Sequence, residues 1–271
     1  MRTAVRRTLD AVGLGDPARR LRDRLLPTVN PSRPVQNGAP GSDAHATEAE
    51  IARSDDINRR DDEHLALLMA FALRSDSNCV DVGAHEGLFL KDMLRVAPLG
   101  RHIGYEPIPW MYEPLVTRFP NIDVRNRALS NVDGESTFTV VRDLPGYSGF
   151  RERTYPREVH TETITVVTER FDDHVPDGWR LDLLKVDVEG AEALVFEGAM
   201  ATIRRDQPII AFEHGRGAAD HYGTTPRDLF TMLTRDAGLK IFDMDGAGPY
   251  EVGRFEDAFD SGTRWNWVAR P

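Results

Sequence analysis

Between Asn78 and Ala269 the chain alternates short runs of β-branched residues with stretches of helical pattern, and this alternation restricts the fold more than any other feature. "NCVDV", "HIGYE" and "IDVRN" are separated by "LFLKDMLRV" and "WMYEPLVTRF". "LDLLKVDV", "PIIAFE", "LKIFDM" and "WNWVA" follow, interspersed with "AEALVFEGAMATIRR" and "TPRDLFTMLTRD". Strands joined through helices form βαβ units, which require a mostly parallel sheet covered on both faces, so an α/β fold is expected. Upstream, "EHLALLMAFALR" (Glu63 to Arg74) is nearly all apolar and rich in helix formers, and reads as a buried helix. One segment breaks the alternation. "GESTFTVVRD" and "HTETITVVTE", separated by "LPGYSGFRERTYPREV", predict a β-hairpin insertion with a long loop before the fourth parallel strand.

A chain of 271 residues, 40% of them hydrophobic, can bury one sizeable core, and the packed domain is expected over residues 50–271. Residues 1–26 are arginine-rich with Val5, Leu9 and Val12 at helical spacing, which reads as a short basic amphipathic arm with a solvated face. Its alternative is docking on a membrane surface or a protein partner. Residues 27–49 combine Pro, Gly, Ser and Asn and read as a flexible linker. Cys79, the single cysteine, lies in an apolar run; it excludes an intrachain disulfide and suits a buried, inert thiol. No apolar run approaches the ~20 residues of a membrane span, and the first residues lack the continuous apolar stretch of a secretory signal. A cytoplasmic location is therefore expected. The formal charge of -10 argues against a nucleic-acid partner, because phosphate binding relies on Lys and Arg. An acidic total does not by itself exclude a local basic groove.

In an open parallel sheet, ligands bind beyond the carboxyl ends of the strands, near the point where strand order reverses. At the first strand, "VDVGAHEGLF" places Gly83 and Gly87 where the backbone can turn sharply and approach a ligand. Asp81 offers an acceptor there, and Ala84 and His85 lie between the glycines; an ordinary turn is the alternative. A nicotinamide fingerprint needs a middle glycine beside the pyrophosphate, and His85 occupies that place, so a ligand without a pyrophosphate fits better. Glu106, followed by Pro107, comes about twenty residues after Gly87, the distance at which an acid meets ribose hydroxyls. Ala128 and Leu129 in "NRALSNVDG" are candidates to flank a flat ring. "LLKVDVEGAE" crowds Lys185, Asp187, Glu189 and Glu192 at the fourth strand; in extended chain Asp187 and Glu189 point the same way. Acids this close need a cation, a metal or shared protons, although Glu189 and Glu192 also suit a helix first turn. "AFEHGRG" adds Glu213 and His214 at the fifth strand, with His214 a candidate general base, for which Asp187 or a purely structural histidine are the alternatives. Asp187, Glu213 and His214 form the candidate set for a divalent metal, a less favoured alternative.

The ordered set "VDVGAHEGLF", "YEPIP", "NRALSNVDG", "LLKVDVEGAEALVFEGA" and "PIIAFEH" resembles the FkbM-type methyltransferases, a family of class I S-adenosylmethionine-dependent enzymes, over residues 61–244. The resemblance implies a Rossmann-like sheet of seven mostly parallel strands with a reversed last hairpin. It also implies S-adenosylmethionine as cofactor and O-methylation of a hydroxyl on a sugar, glycan or polyketide-like natural product. Carried over by position, Asp81, Gly83, Ala84 and Gly87 would line the methionine part, Glu106 would hold the ribose, and Ala128 with its neighbours would flank the adenine. Asp187 and Glu189 would face the transferring methyl or the acceptor. His85 stands where family members often have asparagine. Tyr147, Ser148 and Arg151, in the insertion loop, are candidates for a lid over the acceptor. The competing readings are an NAD(P)-dependent oxidoreductase and a non-catalytic binding module that docks through the N-terminal arm.

Overall fold

The computed structural model describes residues 48–153, 155 and 157–271, so the basic arm and residues 27–47 of the linker lie outside the described residues. Helix α1, Glu48–Ala72, begins two residues before the expected domain start. The described residues fall into two compact units. The smaller contains the first part of α1, residues 48–62, with residues 157–158. The larger, Glu63–Tyr155 and Val159–Pro271, contains both sheets.

The main sheet is built from β1 (Cys79–Val82), β2 (Ile103–Tyr105), β3 (Asp123–Arg125), β7 (Leu183–Val186), β8 (Ile209–Glu213), β9 (Lys240–Asp243) and β10 (Asn266–Arg270). Its order is β3-β2-β1-β7-β8-β10-β9. β10 runs antiparallel to both neighbours and the other pairings are parallel, which gives the expected seven-stranded α/β sheet with a reversed last hairpin. The chain winds outward from β1 through β2 and β3, then returns to place β7 on the other side of β1. The order therefore reverses between β1 and β7.

Side chains alternate across this sheet with a period of two. Cys79, Leu183 and Ile209 face one layer, where Leu90 and Met93 of α2 (Leu88–Val96) and Leu115 of α3 (Pro109–Arg118) pack. Val80, Leu184, Ile210 and Phe212 face the other. There they meet Phe196 of α4 (Glu192–Asp206), Leu229 of α5 (Pro226–Thr231) and Phe255 of α6 (Val252–Ser261). Pro226 at the helix start and a Thr225–Asp228 capping box fix where α5 begins. α6 was not expected from the sequence, although Phe255 and Phe259 stand four apart on one face.

Two other expectations change. α1 is not buried all round: Met69 is fully buried with Leu65 and Leu73 packed alongside, whereas Leu67 and Phe71 face solvent, because a 3.6-residue period turns only one face inward. The hairpin insertion exists as β5 (Gly134–Val141) paired antiparallel with β6 (Thr161–Arg170), but it recruits a third strand. β4, Ala128–Ser130, leaves the main sheet and pairs parallel with β6, so the small sheet reads β4-β6-β5.

Candidate functional site

The crevice at the reversal point is framed by the ends of β1 and β7. In register, Asp81 lies beside Lys185 and Val82 beside Val186. Asp81 and Lys185 share the face of Cys79 and Leu183, so their side chains meet at the top of the sheet. The Asp81 carboxyl is fully buried, and neither oxygen accepts a hydrogen bond among the described residues. Lys185 Nζ is 3.5 Å from Asp81 Oδ1 and 3.3 Å from Asp187 Oδ2, which places one cation between two acids. Burial raises the Asp81 pKa; Lys185 opposes this and Asp187 adds to it. β7 ends at Val186, and the Asp187 N–H donates to Val82 O at 3.1 Å. Glu189 has φ +55, so the chain there is not extended, and the expected common direction of Asp187 and Glu189 does not follow from strand geometry.

The glycine loop folds back on the β2 end. The N–H groups of Gly83 and Ala84 donate to Tyr105 O at 3.0 and 2.9 Å. Gly83 has φ +84, and a Cβ there would lie 2.0 Å from Asp187 O, so the two strand-end loops touch main chain to main chain. Gly87 has φ +76, and its missing Cβ makes room for Phe119 and Leu115; in the structure its bareness serves helix packing. His85, at φ +48, donates its backbone N–H to Glu106 Oε2 at 2.7 Å. The Ile108 N–H donates to Glu106 Oε1 at 2.9 Å, so Glu106 ties both loops together. Burial pushes the Glu106 carboxyl up to about 7, against the pull of those two N–H donors. Asn126 Nδ2 donates to the carbonyls of Glu106 and Pro107 and holds the next loop in place. Ala128 and Leu129 are both buried, Ala128 against Ile108, Phe138 and Val166, and Leu129 in the main core.

Acids gather on the β7 and β8 side. Burial, then Asp187, Glu189 and Glu192, hold the partly buried Glu213 well above the usual carboxylate range, and Arg153 opposes them. Sequence reasoning named Lys185 in the crowded fourth-strand segment without giving it a role between Asp81 and Asp187, and it missed Arg153, which pairs with Glu189 from the insertion segment. The spacing of "LLKVDVEG" offered a signal for the lysine; the arginine is distant in sequence and offered none.

His214 requires a correction. Alternation along β8 sends Glu213 and His214 to opposite sides of the sheet. The His214 side chain is fully buried, stacked on Phe255 at 6.1 Å and tilted against Phe259 at 5.0 Å, with Nδ1 3.6 Å from the buried Glu192. It does not face the crevice and cannot reach an acceptor there. The metal set built on it fails for the same reason: among the described residues, Asp187, Glu213 and His214 do not bring three ligand atoms within 4.8 Å of one another. In the insertion, Ser148 is buried and its Oγ accepts the Val141 N–H at 3.0 Å, a structural bond within the loop. Tyr147 lies under the Arg153 guanidinium at 4.8 Å, and Arg151 is exposed.

Residues 81–240 match the family model described as the methyltransferase FkbM domain. Methyltransferase sdnD of Sordaria araneosa is 30% identical over an alignment covering 46% of this chain and 61% of the relative, so the chain spans about three fifths of that protein. A crystal structure of methyltransferase FkbM from Methylobacillus flagellatus KT aligns with 16% identity and a TM-score of 0.45 over 73% of this chain and 44% of that one. Aeropyrum pernix fibrillarin in complex with S-adenosyl-L-methionine aligns with 16% identity and a TM-score of 0.41 over 77% of this chain and 74% of that one.

Proposed function

The chain belongs to the FkbM methyltransferase domain family, and from that premise we propose that it is an S-adenosylmethionine-dependent O-methyltransferase. Its acceptor in this reading is a hydroxyl of a sugar, glycan or polyketide-like compound. The family match speaks against the competing nicotinamide reading. The observation that carries the proposal is Asp81: a fully buried carboxyl at the strand-order reversal whose satisfaction among the described residues is limited to a long 3.5 Å contact from Lys185 Nζ to Oδ1. An unsatisfied buried acceptor is costly, and a ligand ammonium or hydroxyl offsets that cost.

The donor and acceptor chemistry fits the cofactor. Asp81 suits the amino acid part, the Gly83–Ala84 turn lies beside it, and Glu106 accepts from ribose hydroxyls while still bonded to His85 and Ile108. S-adenosylmethionine, when bound, supplies a methyl group already activated on a sulfonium. The protein's own task is then to align the acceptor, exclude water and take one proton. Glu213 is the proposed proton acceptor, because it is on the crevice side of β8 and its surroundings raise its basicity. Asp187, held against Lys185, orients the acceptor hydroxyl. Carboxylates in this number favour a neutral or cationic polyol over an anionic one.

Methyl transfer from labelled S-adenosylmethionine to a panel of simple glycosides and hydroxylated polyketides, with products identified by mass spectrometry, tests the reading. O-methyl products support it; a folded protein that methylates no hydroxyl in the panel and binds no S-adenosylhomocysteine overturns it.

A further inference from the structure

The insertion segment reaches the crevice through one guanidinium. Arg153, on the stretch between β5 and β6, has its Cζ 4.8 Å above the Tyr147 ring and pairs through Nη1 with the Glu189 carboxylate. Its Nη2 is 3.7 Å from where a Cβ on Gly217 would stand, so the same side chain also meets the loop after β8. The Arg153 side chain is 13% exposed, too buried for an incidental surface pair. A second contact lies nearby. A Cβ on Gly149 would stand 3.0 Å from Tyr222 Oη and 3.8 Å from Glu189 O, so the segment rests directly on the crevice wall.

We propose that Arg153 is a positioning residue that latches the insertion segment over the ends of β7 and β8 by pairing with Glu189, and so closes the acceptor side of the crevice. The inference rests on reading the crevice as a methyl-transfer site and assigns the closing contact to a residue outside the strand-end motifs. Closure removes water from the acceptor and holds it in line. Arg153 also brings a positive charge toward Glu213, whose other charged neighbours are Asp187 and Glu189 after β7 and Glu192 on α4. The latched state therefore favours the ionised, proton-accepting form of Glu213. The proposed cofactor contacts, Asp81 on β1 and Glu106 just after β2, lie away from the insertion segment and do not depend on the latch.

Hydrogen exchange over residues 144–153 tests the latch without an acceptor. Arg153→Met and Glu189→Gln are each expected to speed exchange in this segment, whereas Arg153→Lys and the swapped pair Arg153→Glu with Glu189→Arg retain much of the protection. S-adenosylhomocysteine affinity, measured by calorimetry, stays within about twofold of wild type, and kcat/KM for an acceptor found in the glycoside panel falls by about 10²-fold in Arg153→Met. Unchanged exchange in both single variants overturns the latch. So does a loss of S-adenosylhomocysteine affinity in step with turnover, which marks a general structural role. Variants that show the expected exchange pattern, beside a wild type that methylates no hydroxyl in the panel and binds no S-adenosylhomocysteine, refute the methyltransferase reading and leave the latch standing.

Discussion

Burial, then Asp187, Glu189 and Glu192, raise the proton affinity of Glu213 while Arg153 opposes them, and Glu213 is the proposed proton acceptor. Glu213→Gln is expected to lower kcat by about 10²- to 10⁴-fold while leaving S-adenosylhomocysteine binding intact; equal kcat in the variant would move the proton elsewhere. His214→Ala, one residue on, should act on stability, because it empties a site packed against Phe255 and Phe259. A loss of roughly 2–4 kcal/mol in urea denaturation is expected. The sequence displays the chemistry of this neighbouring pair, but not which member faces the crevice, since that depends on the register of β8 against β7 and β10. Glu106 yields a pH dependence. Its folded pKa, about 7, is raised from the ordinary 4.5 by burial, so its contribution to stability is fully present below 4.5 and is lost as pH rises through 7. That is about 3 kcal/mol at most. Ribose hydroxyls donate to the ionised form, so cofactor affinity changes in the opposite sense and rises with pH up to about 7. Titrations at pH 5.5 and 8 should show this difference in wild type and its loss in Glu106→Gln.

Among the elements, the loops after β1 and β7 act as one unit, because Gly83 abuts Asp187 O and the Asp187 N–H bonds to Val82 O. Gly83→Ala adds a methyl group at positive φ against a carbonyl, and is expected to cost at least about 1 kcal/mol and weaken cofactor binding. Calorimetry and urea denaturation check both effects; an unperturbed variant would mean that the loops are not coupled. The strand-end loops were legible from the sequence because glycines and acids interrupt strongly apolar runs there. β4 was not: a three-residue strand carries too little pattern to reveal that it leaves the main sheet for β6. Arg153 was hidden for a related reason, since its partner Glu189 is 36 positions away and only the folded insertion brings them together.

At the scale of the whole molecule, the alternation of strands and helices was sufficient for the main sheet, and the reversal of strand order between β1 and β7 locates the crevice. Among the described residues, no helix is long and apolar enough to cross a membrane. We propose that this crevice holds a sulfonium nucleoside through Asp81 and Glu106. Calorimetric titration of the folded protein with S-adenosylmethionine and S-adenosylhomocysteine tests it most directly. Saturable one-to-one binding of both, weakened by Asp81→Ala, is expected; binding of neither by folded protein rules out a sulfonium-nucleoside site here.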